Sequence, residues 1–267
     1  MQKRLTISAN SKRQRNLALT PDLVALTLRK VEDPGPPPGT NYFEDADYGP
    51  IVAETLAGAP AGPMWLFAFG SLIWKPACAV VEERKGLVRG WHRAFRLGWD
   101  FRWRGNSEHP NLMMGLDRGG QCAGILYRLP PGEEEKNLDA LIRREMRIKP
   151  PAGVPITQTA RWLTVETQSE RVRAIAFVLN RGGPGYRGPR SHEETAEILS
   201  KSCGMNGSGA EYLYKTVAKL AEHGIHDRNL WHLQELVAEK IRERHFSDAL
   251  SPSEADVKEA ASAADRS

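Results

Sequence analysis

Cysteine is scarce in this chain, with only Cys78, Cys122 and Cys203 among 267 residues, far apart from one another. An odd number with no C-x-x-C or Cys/His ligand spacing argues against a disulfide scaffold and against structural zinc, and it fits a reducing cytoplasm. Long apolar runs are also missing. A membrane helix needs roughly 20 such residues, and the best candidate, beginning at Trp65, is interrupted by Gly70, Ser71 and Lys75. Lys3, Arg4, Lys12, Arg13 and Arg15 are basic, but no apolar segment follows them, so no signal peptide is expected. Internal repeats and an alternating βαβ pattern are absent as well, which leaves solenoids and doubly wound sheets out of consideration.

What is present can bury a full core: 40% of side chains are apolar and 26% are charged. The most informative stretch is Trp65-Leu66-Phe67-Ala68-Phe69-Gly70-Ser71-Leu72-Ile73-Trp74, an apolar run broken by one Gly-Ser pair. A buried strand that turns sharply at glycine leaves backbone N–H groups unpaired, and small side chains let a ligand approach them. Such a turn can hold a carboxylate or an oxyanion; it can equally be an ordinary strand end. The second feature is Glu145. Residues 134–146 read as a helix with acidic Glu133, Glu134 and Glu135 at its start and Arg143 and Arg144 near its end. Its apolar stripe is Leu138, Leu141 and Ile142, and helical spacing puts Glu145 in that stripe, where a leucine would be expected. It is either a helix-end carboxylate leaning toward solvent or an arginine, or a desolvated acid/base group.

Along the chain, residues 1–19 are polar, basic and without periodicity, which predicts a mobile segment that is dispensable. Thr20-Pro21-Asp22 is a helix start with Val24, Leu28 and Val31 as its buried stripe, and the helix should stop at Asp33-Pro34. Gly35-Pro36-Pro37-Pro38-Gly39 is a stiff connector into an acidic segment around Glu44, Asp45 and Asp47. Residues 1–62 thus read as an extension with one helix and a proline-rich linker. The main domain, 63–245, is rich in strands: 65–69, 87–99, 112–116, a turn at Asp117 to Gly120, 122–129, and a hairpin of 161–166 with 172–179. A glycine- and proline-rich loop carrying Tyr186 follows. Ser191 to Glu194 is a capping box opening a helix through Leu199, and two more helices cover 210–223 and 228–244. Residues 246–267 read as a disordered tail. The order predicts an α+β fold on a closed or strongly curved sheet.

The basic balance, net +4, concentrates between Arg84 and Arg104, where arginines and aromatic rings interleave. A nucleic-acid surface has this look. Strict alternation, however, puts Trp91, Arg93, Phe95, Leu97 and Trp99 on one side of a strand and His92, Ala94, Arg96 and Gly98 on the other. A sheet strand with arginines for a small anionic substrate is the simpler reading, with neither nucleic acid nor membrane as partner.

The motifs, taken in order, resemble the ChaC-like γ-glutamylcyclotransferases: Phe69 to Trp74; Arg104-Gly105 leading to His109 to Met113; Gly124 to Leu129; Arg144-Glu145-Met146; Phe177 to Asn180; Tyr186; Gly207-Ser208-Gly209 with Glu211-Tyr212-Leu213; and Gly224 to Asp227. The resemblance spans about residues 63–245, and Leu19 to Val24 with Asp33 to Pro36 resembles the N-terminal extension of bacterial members. It implies a small β-barrel-like core flanked by helices, and cleavage of glutathione to 5-oxoproline and Cys-Gly. The substrate's own α-amine attacks its γ-carbonyl, so the reaction calls for no metal or cofactor. By the same resemblance Phe69, Gly70, Ser71 and Leu72 hold the γ-glutamyl group, Glu145 is the acid/base, and Tyr186 reaches the substrate. Phe69 stands where many relatives have tyrosine, and Met146 to Pro151 lacks a glycine and tyrosine often found there. Two alternatives stay open: a cyclotransferase for another γ-glutamyl amine, or a non-catalytic regulatory protein on the same scaffold.

Overall fold

The computed structural model describes residues 16–250, with side chains described through residue 245. Residues 1–15 and 251–267, read above as mobile, lie outside the described residues. Five strands close into a barrel: β1 (Trp65–Ala68), β2 (Glu82–Asp100), β3 (Asn111–Arg128), β4 (Gln158–Glu166) and β5 (Arg171–Leu179). β1 runs antiparallel to β3 from Trp65↔Arg128 to Ala68↔Ile125, and β2 pairs with β3 from Glu82↔Arg128 to Asp100↔Asn111. The β4–β5 hairpin forms around Thr167 and Glu170 as its sequence predicts. A short antiparallel contact between β2 and β4 and a parallel contact of Leu66 with Ile175 complete the closure. Closure leaves the sheet without a long free edge. Its strands carry fully buried side chains on both faces, among them Leu66, Phe67, Leu116, Leu126 and Phe177.

The expected turn at Asp117 to Gly120 does not exist; the chain continues straight through it as β3. Gly119 and Gly120 have φ of +101° and +66°, and opposite them Gly90 has φ +78°, within a register shift between Arg89 and Trp91. These residues look like turn formers because they adopt left-handed conformations, but here the conformations make a bulge that bends a continuous two-stranded ribbon.

Helices flank the barrel: α1 (Pro21–Ala25), α2 (Asp45–Ala57), α3 (Glu134–Glu145), α4 (His192–Lys201), α5 (Gly209–Glu222) and α6 (Arg228–Leu250). A two-residue ribbon, Cys203–Gly204 with Gly207–Ser208, joins α4 to α5. Three of these elements depart from expectation. α1 stops at Ala25 and leaves Leu28 45% exposed, because the Thr27 hydroxyl bonds back to the Val24 carbonyl and across to Ser208 Oγ, both at 2.7 Å. The acidic segment folds as α2, whose start is a reciprocal cap between Glu44 and Asp47, so the described part of the extension holds two helices where one was expected. α6 continues to Leu250, into the stretch read as a tail.

Leu19 corrects another expectation, that residues up to 19 are dispensable. Its side chain is fully buried in the main core, and its N–H donates to Gln234 Oε1 at 2.8 Å. Leu19→Ala should therefore lower unfolding free energy by about 3 kcal/mol in a denaturant titration, as removal of a buried leucine does elsewhere; an unchanged midpoint would show that this end of the chain is not part of the core.

Candidate active site

β1 ends at Ala68, and the chain turns through Phe69 and Gly70 into a single 3₁₀ turn, Ser71–Ile73. The buried side chain of Arg93, on β2, lies behind this turn. Its Nη1 donates to the Phe69 carbonyl at 2.9 Å, its other amino group reaches the Ala123 carbonyl, and its Nε faces Asp227 Oδ2 at 3.1 Å. Because the peptide is planar and trans, a Phe69 carbonyl drawn toward Arg93 aims the Gly70 N–H the opposite way. The Gly70 and Leu72 N–H groups have no acceptor among the described residues, whereas the Ser71 N–H donates to the Tyr212 hydroxyl at 3.3 Å. A side chain at position 70 would sit 3.0 Å from that hydroxyl and 3.4 Å from Met114 Sδ, so the requirement for glycine is one of space.

Glu145 closes α3. The stripe before it, Leu138, Leu141 and Ile142, is fully buried, and the Glu145 side chain itself is 16% exposed. Burial pushes its carboxyl above the ordinary value, and Arg144, the hydrogen bond from Gln158 and the charge of Arg147 oppose that shift without cancelling it. Gln158, at the start of β4, donates Nε2 to Glu145 Oε2 at 2.9 Å and to its carbonyl at 3.2 Å. Arg144 Nε lies 3.3 Å from Glu145 Oε1, while its Nη2 donates to Ser71 Oγ at 3.1 Å and its Nη1 to the Lys75 carbonyl. One guanidinium thus joins the glycine turn to the carboxylate.

Tyr212 stands between them on α5. Burial pushes its phenol up, and the nearby Glu145 charge adds to that shift. Trp74 meets its ring edge-on at 5.8 Å and Phe95 at 6.0 Å. The sequence signal for Tyr212, beyond its motif, is its position on the buried stripe of α5, since a buried tyrosine hydroxyl needs a partner. Gln158 and Asp227 carry no such sequence signal.

Tyr186 is placed differently. Its hydroxyl donates to Asp117 Oδ2 at 2.9 Å and makes no contact with Glu145. Asp117 is fully buried; burial would raise its carboxyl, but hydrogen bonds from Arg181, Arg96, the Arg118 N–H and Tyr186 together hold it down at about 2. The loop that carries Tyr186 is nevertheless tied beside the site, because Gly185 N–H donates to Thr157 Oγ1 at 2.9 Å and Thr157 precedes Gln158. The structure thus gathers Gly70, Ser71, Leu72, Glu145 and Tyr212, and it holds Tyr186 in a neighbouring ion network.

No group of three His, Cys, Asp or Glu side chains among the described residues is spaced to hold a metal. A shallow groove of about 470 Å³ between α2 and the start of α3, lined by Val52, Glu133 and Lys136 among others, lies at the opposite end of α3 from Glu145.

Comparison with known proteins gives three findings. A family model described as ChaC-like protein matches residues 64–240. The glutathione-specific gamma-glutamylcyclotransferase of Escherichia coli (strain K12) is 32% identical over 203 residues, covering 75% of this chain and 84% of that protein, and glutathione-specific gamma-glutamylcyclotransferase 1 of Mus musculus is 32% identical over 57% of this chain and 67% of that one. The crystal structure of the yeast gamma-glutamyl cyclotransferase specific to glutathione superposes with a TM-score of 0.58 at 19% identity, covering 66% of this chain and 96% of that chain, which shows a shared fold.

The contacts at position 70 make Gly70→Ala a direct probe of the turn. The added methyl should displace the Tyr212 hydroxyl and cost about 1 to 3 kcal/mol of stability, the usual effect of overpacking. Thermal unfolding together with the ultraviolet titration of Tyr212 would read both, and an unchanged unfolding curve would mean the turn is looser than drawn.

Proposed function

The chain belongs to the ChaC-like protein family, and from that membership we propose that it is a γ-glutamylcyclotransferase that cleaves glutathione to 5-oxoproline and Cys-Gly. The observation that carries the proposal is the half-buried Glu145 carboxyl, raised by desolvation and joined through Arg144 to the open N–H groups of the Gly70 turn. The reaction needs a base because an α-amine with a pKa near 8 is mostly ammonium at neutral pH. An exposed glutamate, near 4.3, is a weak acceptor for that proton, and burial brings the two groups closer.

In this reading the γ-glutamyl carboxylate or the developing oxyanion lies at the Gly70 and Leu72 N–H groups, with Phe69 and Ser71 shaping the turn. Glu145 takes the proton from the substrate amine as its nitrogen attacks the γ-carbonyl carbon. The tetrahedral oxyanion then collapses, the bond to the cysteine nitrogen breaks, and Glu145 returns the proton to that nitrogen. Atoms balance without water. Tyr212, whose oxygen already accepts from Ser71, keeps its own proton to donate to the oxyanion. Tyr186 acts at one remove, holding the loop at the rim through Asp117.

The arginines that suggested nucleic acid support a small-molecule enzyme instead. Arg93, Arg96, Arg102 and Arg104 are engaged with Asp227, Asp117, Asp33 and Glu211. Among the described residues no helix is long and apolar enough to cross a membrane. We place the activity in the cytoplasm, with a small γ-glutamyl compound as its partner.

Glu145→Gln tests the assignment. 5-Oxoproline formation should fall by roughly a hundredfold or more, the usual contribution of a positioned acid/base group. The sign of the stability effect follows from the raised carboxyl. Below the unfolded-state pKa the wild-type side chain is neutral and resembles glutamine; as pH rises through the higher folded-state pKa, ionisation in a desolvated site destabilises the wild type alone. The variant should thus match the wild type near pH 4 and become the more stable of the two toward pH 8, within roughly 2 kcal/mol. Preserved turnover, or a variant that is less stable at neutral pH, would assign Glu145 to a structural ion pair.

A further inference from the structure

Two arginines, Arg144 and Arg147, act on the Glu145 charge, and several cations of the neighbouring segments are neutralised by the chain itself. Arg102 holds Asp33 through two bonds of 2.6 Å, Arg104 pairs with Glu211, and Lys149 meets Asp47 at 2.7 Å. Arg144 is engaged with Glu145, Ser71 and Lys75. Arg147 differs. It has no carboxylate partner among the described residues, and its guanidinium lies over the Trp103 ring at 4.9 Å. A guanidinium that meets an indole and no carboxylate leaves its N–H groups available to a bidentate acceptor.

Its backbone is fixed as well. The Arg147 carbonyl accepts from Phe43 N–H at 2.9 Å, Tyr42 bridges to Ile148, and Lys149 N–H donates to the Asn41 carbonyl at 2.9 Å. The extension therefore anchors the segment just past Glu145. Two residues of extended chain span at most about 7 Å, and the same length separates the cleaved nitrogen of γ-Glu-Cys-Gly from its terminal carboxylate. With that nitrogen at Glu145, the carboxylate comes within reach of a group two residues further on.

We infer that Arg147 is a specificity-determining residue whose guanidinium binds the terminal carboxylate of the leaving dipeptide, so that a substrate with that carboxylate amidated is bound less well. The inference rests on the cyclotransferase reading and selects among its substrates.

The experiment uses the full chain with two substrates, glutathione and glutathione whose glycine carboxylate is converted to a primary amide, and reads 5-oxoproline. The wild type should show a KM roughly tenfold lower for glutathione than for the amide, the scale of one hydrogen-bonded ion pair in a partly exposed site. Arg147→Gln should raise KM for glutathione by about that factor and leave the amide's KM little changed, while any change in kcat from losing the Arg147 charge beside Glu145 should be the same for both substrates; Arg147→Lys should restore part of the KM difference, since a point charge lacks the fork. Equal KM changes for both substrates, or none for either, would overturn the inference while leaving the reaction in place. A wild type that forms no 5-oxoproline from either compound would overturn the functional reading, and the inference with it.

Discussion

A carboxylate held largely out of water at the end of a leucine stripe is the constraint on which the rest of this structure depends. Burying an ionised carboxyl without compensation costs several kcal/mol, yet complete compensation would lower its pKa and remove its value as a base. Asp117 shows the second outcome in the same barrel: two arginines, a backbone N–H and a tyrosine hydroxyl overcome burial and hold it at about 2. Glu145 has one glutamine donor and arginines at a longer distance, so burial wins and its carboxyl stays raised. The two acids have opposite shifts: Asp117 holds a loop, and Glu145 fits the proton-exchanging role we propose for it.

The barrel supplies the geometry for this partial compensation. Gln158 reaches Glu145 because β4 begins where α3 ends, and Arg144 reaches Ser71 because β1 delivers its turn to the same place. Arg93 sets the direction of that turn from behind, through the Phe69 carbonyl, and Asp227 at the start of α6 faces it. The extension contributes too. Thr27 bonds to Ser208, the residue whose hydroxyl caps α5 by accepting from the Glu211 N–H, and residues 41–43 pair with the segment after Glu145. Parts of the chain far apart in sequence thus fix the two ends of the site.

Much of this was legible in the residues. The Gly70 turn and the misplaced Glu145 are local signals, one of backbone freedom and one of helical phase, and both survive folding unchanged. The hairpin, the Ser191 capping box and the apolar stripe of α3 are equally local. The failures share a cause. Gly119 and Gly120 were read as a turn because positive φ does not say whether the chain reverses or bulges, and only pairing with Gly90 decides it. Leu28 lost its helix to Thr27, whose hydroxyl found a partner in Ser208, 181 residues away. Nothing near Tyr186 in sequence announces that Asp117 takes its hydroxyl.

The same distinction bears on the rival reading, a regulatory protein on this scaffold. A binding protein has no use for an ionisable group at the end of the α3 stripe: leucine would complete the stripe and glutamine would keep the contact to Gln158, and either would avoid the desolvation cost that raises the Glu145 carboxyl. The surrounding groups favour the same choice. Arg144 divides its donors between Glu145, Ser71 and Lys75 instead of forming a close bidentate pair, and so stabilises the charged form only in part. A structural ion pair gains from being complete. A proton acceptor must remain incomplete, and the partial pairing of Glu145 supports the role we propose for it.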